Sequence, residues 1–229
     1  MASFSAEMLH DDVLLTLPQK VDGAHTAVLV VDVQNDFCAT GGYFDRTIGQ
    51  VAGIQAMIPR LQRFLVEARA ANVPVIFAAA GYDLSYQSSP NRERQLRRNG
   101  RVIPCCRSGT WGAEFYGVAP APGEPVIVKR RYSAFHGTDL DVLLRNRGIR
   151  TVVLVGVATN VCVEAAARDA YMRDYYVVVV SDCTAAPDER FHHATLANIE
   201  INVGVVATAD ALAAIWEVRA PDVKDERNE

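Results

Sequence analysis

Val152-Val153-Leu154-Val155-Gly156-Val157-Ala158-Thr159-Asn160-Val161-Cys162-Val163-Glu164-Ala165-Ala166-Ala167-Arg168-Asp169-Ala170 decides how this chain is read. The β-branched run from Val152 reads as a buried strand that stops at Gly156. A short polar turn follows, and the Ala-rich stretch opens a helix. Cys162 is thereby placed at the start of a helix, on the carboxyl-end side of a parallel strand. Open α/β sheets bind their ligands at that edge. A helix N-terminus favours negative charge and would lower the pKa of a thiol there. Free cysteines are also among the most buried residues, so position alone leaves both a reactive nucleophile and an inert core thiol open.

The rest of the chain repeats the pattern. Ala27 to Val33 reads as the first strand, and residues 51–71 as a helix with Ile54, Ile58, Leu61, Leu65 and Ala68 on one side. Val73 to Ala78 is the second strand, with Pro74 near its start where a missing N–H matters least. Residues 79–124 are rich in Gly, Ser, Pro and Arg and are expected to form binding loops with a short helix. Val126 to Lys129, Thr151 to Val155 and Val177 to Ser181 read as further strands, with helices at 139–146, 161–173 and 188–202. A short strand at Val203 to Ala207 and a helix from Ala209 to Val218 close the pattern. Continuous apolar strands alternating with helices imply one α/β domain, a mostly parallel sheet with helices on both faces. That domain is expected over 25–218, between an extension at 1–24 and a charged tail at 219–229.

Composition narrows the function. The chain has 229 residues, 50% hydrophobic and 22% charged, enough for one full core. A formal net charge of −4 gives no reason to expect nucleic acid or an anionic membrane as partner. Five cysteines, at 38, 105, 106, 162 and 183, are an odd number without secretory features, which points to free thiols in a reducing, cytoplasmic setting. No stretch of membrane-spanning length is uninterruptedly apolar. The one basic cluster, Arg92, Arg94, Arg97, Arg98 and Arg101, reads as a solvated helix face, with a local anion or interface role as the alternative.

Three strands end in a reactive side chain: Asp32 after the first, Lys129 on the third and Cys162 after the fourth. A parallel sheet can bring all three to one edge. There the carboxylate can accept the thiol proton, and the ammonium favours both anions. Each residue has an ordinary alternative, since strand-end Asp caps turns and strand-end Lys is commonly solvated. Competing chemistries lack their motifs. There is no G-x-S-x-G elbow, G-x-G-x-x-G or Walker A sequence. His192 and His193 are adjacent and diverge on a helix, His136 stands alone, and Cys105-Cys106 has no CxxC partner, so all read as structural or surface residues.

Val31 to Phe37, Val128 to Phe135 and Gly156 to Glu164 resemble, in order, the signatures of the isochorismatase-like cysteine hydrolases, and the resemblance spans about residues 25–215. It implies a catalytic triad of Asp32, Lys129 and Cys162 that attacks an amide or ureido carbonyl and passes through a covalent acyl-enzyme. It also implies a non-proline cis peptide between Val157 and Ala158, with an oxyanion hole made by the N–H groups of Ala158 and Cys162. Arg131 to Phe135, Leu140 to Ile149 and Ala158 to Glu164 are similar to the ureidoacrylate and related ureido or carbamoyl amidohydrolases. By that likeness Phe37, Tyr82 and Tyr132 line the substrate pocket, while Ala80 stands where that group carries a polar amide. Residues 78–100 contain no histidine, unlike the metal-dependent nicotinamidase branch, so no metal or other cofactor is implied. A small-molecule substrate is expected, in a homo-oligomer that is often a tetramer in this family, with Trp111 and Phe115 as candidates for the subunit contact. Vinyl-ether hydrolysis, which does not use a cysteine, and a non-catalytic interaction role are the alternatives.

Overall fold

The computed structural model describes residues 12–219. Six strands form one parallel sheet: β1 (Thr26–Val31), β2 (Val75–Ala80), β3 (Val126–Lys129), β4 (Thr151–Val157), β5 (Tyr176–Ala185) and β6 (Val205–Ala207). Their order is β3-β2-β1-β4-β5-β6. The chain therefore runs outward to β3, returns to the middle and builds the other half. This reversal between β1 and β4 is where such sheets open a crevice at their carboxyl ends.

Period-two alternation divides the strands between two cores. Val28, Val30, Phe77, Val153, Val155 and Val178 face one core. There they meet α1 (Ala52–Ala70) through Ile54, Leu61, Phe64 and Leu65. Ala27, Leu29, Ile76, Leu154 and Val179 face the other. That second core is covered by α3 (Leu140–Asn146), α4 (Glu164–Tyr171) and α5 (Glu189–Asn202), numbered after α2 (Ser89–Asn99), which lies outside both cores. The last helix, α6 (Ala209–Arg219), lies on the α1 side. Its Trp216 ring lies 5.5 Å from Phe64, and Trp216 Nε1 donates to Val21 O at 2.8 Å. No described helix is long and apolar enough to cross a membrane.

Several boundaries differ from the reading of the sequence. β1 ends at Val31 because Asp32 takes φ +52°, a left-handed conformation that turns the chain out of the sheet. β2 starts at Val75, after Pro74, and runs through Ala80. β5 continues past Ser181 to Ala185 because, after a bulge of extra residues in β5, Thr184 and Ala185 pair with Gly156 and Val157. The short helix expected within 79–124 is three turns long, Ser89–Asn99. β3 is the sheet edge, and Val126 and Val128 are exposed rather than covered. Residues 12–24, expected as an extension, rest on the domain: Leu17 packs on the first core and Leu14 N–H donates to Tyr176 Oη at 2.9 Å. Of the expected charged tail, residues 220–229 lie outside the described residues, as do residues 1–11 of the extension.

Candidate active site

Asp32, Lys129 and Cys162 meet at the carboxyl ends of the strands. Lys129 ends β3, and Asp32 and Cys162 follow the neighbouring strands β1 and β4. β2 separates Lys129 from Asp32, and its last three residues, Ala78 to Ala80, leave room for a long side chain to reach across. Lys129 Nζ lies 2.7 Å from Asp32 Oδ2, with 0% and 1% of the two side chains exposed. The ammonium also donates to Arg131 O at 3.1 Å and to Tyr82 Oη at 3.4 Å. The Lys129 charge first, and then hydrogen bonds from Cys162, Lys129 and the Ala80 backbone, favour the ionised carboxylate.

The electrostatics follow from burial. Desolvation raises the Asp32 pKa above the ordinary carboxylate range, and Lys129 pulls it part of the way back. Burial works against the Lys129 ammonium, but Asp32 and Cys162 together outweigh it and push its pKa up. Lys129 is therefore a permanent cation near neutral pH. The Cys162 thiol is raised, first by burial and then by the Asp32 charge. This corrects the expectation of a thiol acidified by a helix N-terminus. Cys162 sits inside a π-helical turn, Thr159–Val163, ahead of α4, where its burial, and then the Asp32 charge beside it, raise the thiol.

The Val157–Ala158 peptide is cis, at the point where β4 leaves the sheet. Gly156 just before it has φ +107°, and a Cβ there would lie 2.2 Å from Val31 O. Only glycine lets β4 pass this close to the end of β1. A cavity of about 310 Å³ opens onto Cys162, Asp32 and Ala158. Phe37, Tyr82 and Tyr132, the residues expected around a substrate, all line it. Ala80 does not reach the cavity; its backbone is held on both sides by Gln34, with Ala80 N–H donating to Oε1 at 2.8 Å and Nε2 donating to Ala80 O at 3.1 Å.

Other candidates fall into place around this centre. Cys105 and Cys106 are buried, and with Asp36 they form the one group among the described residues close enough to share a metal ion. Its atoms already serve the loop: Asp36 accepts from Cys106 N at 2.6 Å and from Tyr43 N at 3.0 Å. Burial also raises the Cys106 thiol far from the thiolate form that metals bind. His136 is exposed, and His193 pairs with Glu189 on the surface. His192 is different: its Nδ1 lies 2.9 Å from Thr159 Oγ1, against the turn that carries Cys162. Adjacent histidines on a helix gave no hint of that contact. Phe115 packs edge-on against Phe77 in the core, whereas Trp111 is exposed.

Known proteins resemble this chain in sequence and in fold. Ureidoacrylate amidohydrolase RutB of Methylobacterium radiotolerans is 40% identical over 219 residues, covering 89% of this chain and 85% of that protein. A cysteine hydrolase from Pseudomonas syringae pv. phaseolicola superposes with a TM-score of 0.77 at 28% identity, over 91% of this chain and 99% of its own. N-carbamoylsarcosine amidase from Thermoplasma acidophilum gives 0.63 at 28% identity, over 81% of this chain and 97% of its own. Residues 26–211 match the isochorismatase domain, and the chain belongs to that family.

Proposed function

We propose that this protein is a cysteine-dependent amidohydrolase that cleaves a C–N bond of a small ureido, carbamoyl or amide substrate. The observation that carries the reading is the buried Asp32–Lys129 pair, 2.7 Å apart, facing a cavity lined by Cys162. A charged pair taken out of water at this cost is hard to explain by stability alone. The amidohydrolase and amidase named among the similar proteins are consistent with C–N chemistry.

The proposed cycle begins with transfer of the Cys162 proton to Asp32 as Sγ forms a bond to the substrate carbonyl carbon. The carbonyl electron pair moves onto oxygen, and the N–H groups of Ala158 and Cys162 stabilise that oxyanion. On collapse the C–N bond breaks and the leaving nitrogen takes the proton from Asp32. An acyl or carbamoyl thioester remains on Cys162. A water then gives a proton to Asp32 while its oxygen attacks the same carbon. The C–S bond breaks, the thiolate recovers the proton, and the acid or carbamate leaves. A carbamate falls apart to ammonia and carbon dioxide. Throughout, Lys129 keeps Asp32 oriented and offsets the negative charge that passes between Sγ and the carboxylate.

The test is ammonia release from a panel of ureido acids, carbamoyl amines and simple amides, comparing wild type with Cys162→Ser. Turnover of at least one substrate, lost in the variant, is expected. No ammonia from any of them, together with iodoacetamide labelling Cys162 no faster than the other cysteines, would sink the reading.

A further inference from the structure

Helix α2 carries four of the five arginines of the basic cluster, and its surface is divided. Arg92 and Arg97 are exposed, and Arg97 pairs with Glu93 at 2.9 Å. Asn91, Arg94, Gln95 and the outer, exposed Arg98 line the cavity that holds Cys162. Arg94 is half-buried, and its Nε is buried with no hydrogen-bond partner among the described residues. A desolvated guanidinium donor without an acceptor is costly, and its planar fork matches a carboxylate. The other charges around the cavity are already committed. Asp32 faces Lys129, Asp188 holds Arg190 at 2.7 Å, and Arg130 is tied to Asp83 at 3.2 Å. Arg131 donates to the backbone at Tyr86 O, 3.1 Å away. Tyr43 is the titratable group that faces both Arg94 and Arg98. Among the described residues neither of these arginines has an acidic partner, so the cavity holds an excess of positive charge on its α2 side.

Two further cavity-lining atoms are buried without a partner: Gln87 Oε1 and Asn160 Oδ1. Both accept hydrogen bonds, as the N–H groups of a ureido or amide end require. Apart from the Asp32 oxygens, which face Lys129, the unmatched atoms of the cavity-lining residues are thus two amide oxygens and one guanidinium Nε, suited to a ligand with N–H donors at one end and an anion at the other.

We propose that Arg94, assisted by Arg98, forms a carboxylate-binding subsite, so that the cavity selects ureido or carbamoyl acids over their neutral counterparts. The inference rests on the C–N hydrolase reading for the identity of the reacting end, and its test reads binding rather than turnover. Calorimetry on the Cys162→Ser protein compares 3-ureidopropionate with 3-ureidopropionamide, which share a ureido group and differ in the terminal charge. The acid is expected to bind about 10- to 100-fold more tightly, the range of a charge-assisted contact. Arg94→Gln in the same protein should bring the ratio to about one, Arg94→Lys and Arg98→Gln should each retain part of it, and Arg97→Gln should leave it unchanged. Equal binding of acid and amide, no binding of the acid, or a ratio that survives Arg94→Gln with an unaltered circular dichroism spectrum would overturn the proposal. Failure of the hydrolase reading shows separately, as no ammonia release from the wild-type protein.

Discussion

Replacing Lys129 by Met keeps the length of the side chain and removes its charge, leaving Asp32 alone in a site where 1% of it is exposed. Stranding one partner of a buried pair costs about 3–5 kcal/mol. Asp32 can escape by taking up a proton, at a cost set by the ordinary carboxylate value of 3.8 in the unfolded chain. At pH 7 that is about 3 pH units, or about 4 kcal/mol at 1.36 kcal/mol per unit. The two routes agree in size, and the second has a sign. In the variant the folded state holds a proton that the unfolded state releases, so its stability falls as pH rises above 3.8. The loss relative to wild type should be about 1–2 kcal/mol at pH 5 and about 4 kcal/mol at pH 7, since Lys129 spares the wild type most of this slope. Urea unfolding at a series of pH values reads it directly. The rising limb of the pH–activity profile should also move to higher pH, with turnover near neutrality down about 100- to 10,000-fold, the usual worth of a general base. A loss under about 1 kcal/mol that does not vary with pH, or an unmoved activity limb, would refute an interdependent Asp32–Lys129 pair.

Three other outcomes are expected. Gly156→Ala puts a Cβ 2.2 Å from Val31 O in a φ +107° conformation, and thermal unfolding should show a loss of about 2 kcal/mol or more. Trp216→Ala removes the ring packed on Phe64 and the bond to Val21 O, and denaturant titration should show about 3–5 kcal/mol of destabilisation. Because the Lys129 pKa is raised from its ordinary 10.5, the stability it contributes is present below that value and is lost as pH rises further. Alkaline unfolding should consequently be steeper in wild type than in Lys129→Met.

The layered fold was legible because the central strands are buried on both faces and read as unbroken apolar runs. Asp32, Lys129 and Cys162 were legible because each interrupts or follows such a run, and only a parallel sheet brings the three ends together. Long-range physics hid the rest. Ser181 reads as the end of a strand, yet β5 bulges and then pairs again with β4 at Gly156 and Val157. The direction of the Cys162 shift was misjudged because helix-end reasoning omits the burial of the thiol and, after it, the Asp32 charge beside it. A run of arginines looks like a solvated face until the cavity-lining positions Arg94 and Arg98 are separated from Arg92 and Arg97. The contact of His192 with Thr159 joins residues 33 apart in the chain and has no local signature.

Everything in the proposed chemistry passes through one bond, between Cys162 Sγ and the substrate carbonyl carbon. Rapid acid quench of the wild-type protein during turnover, followed by peptide mass spectrometry, tests for it. An acyl or carbamoyl adduct should map to the Cys162 peptide, build up before steady state and be missing from Cys162→Ser. Steady turnover with no adduct on that peptide, or full activity in the variant, would contradict it.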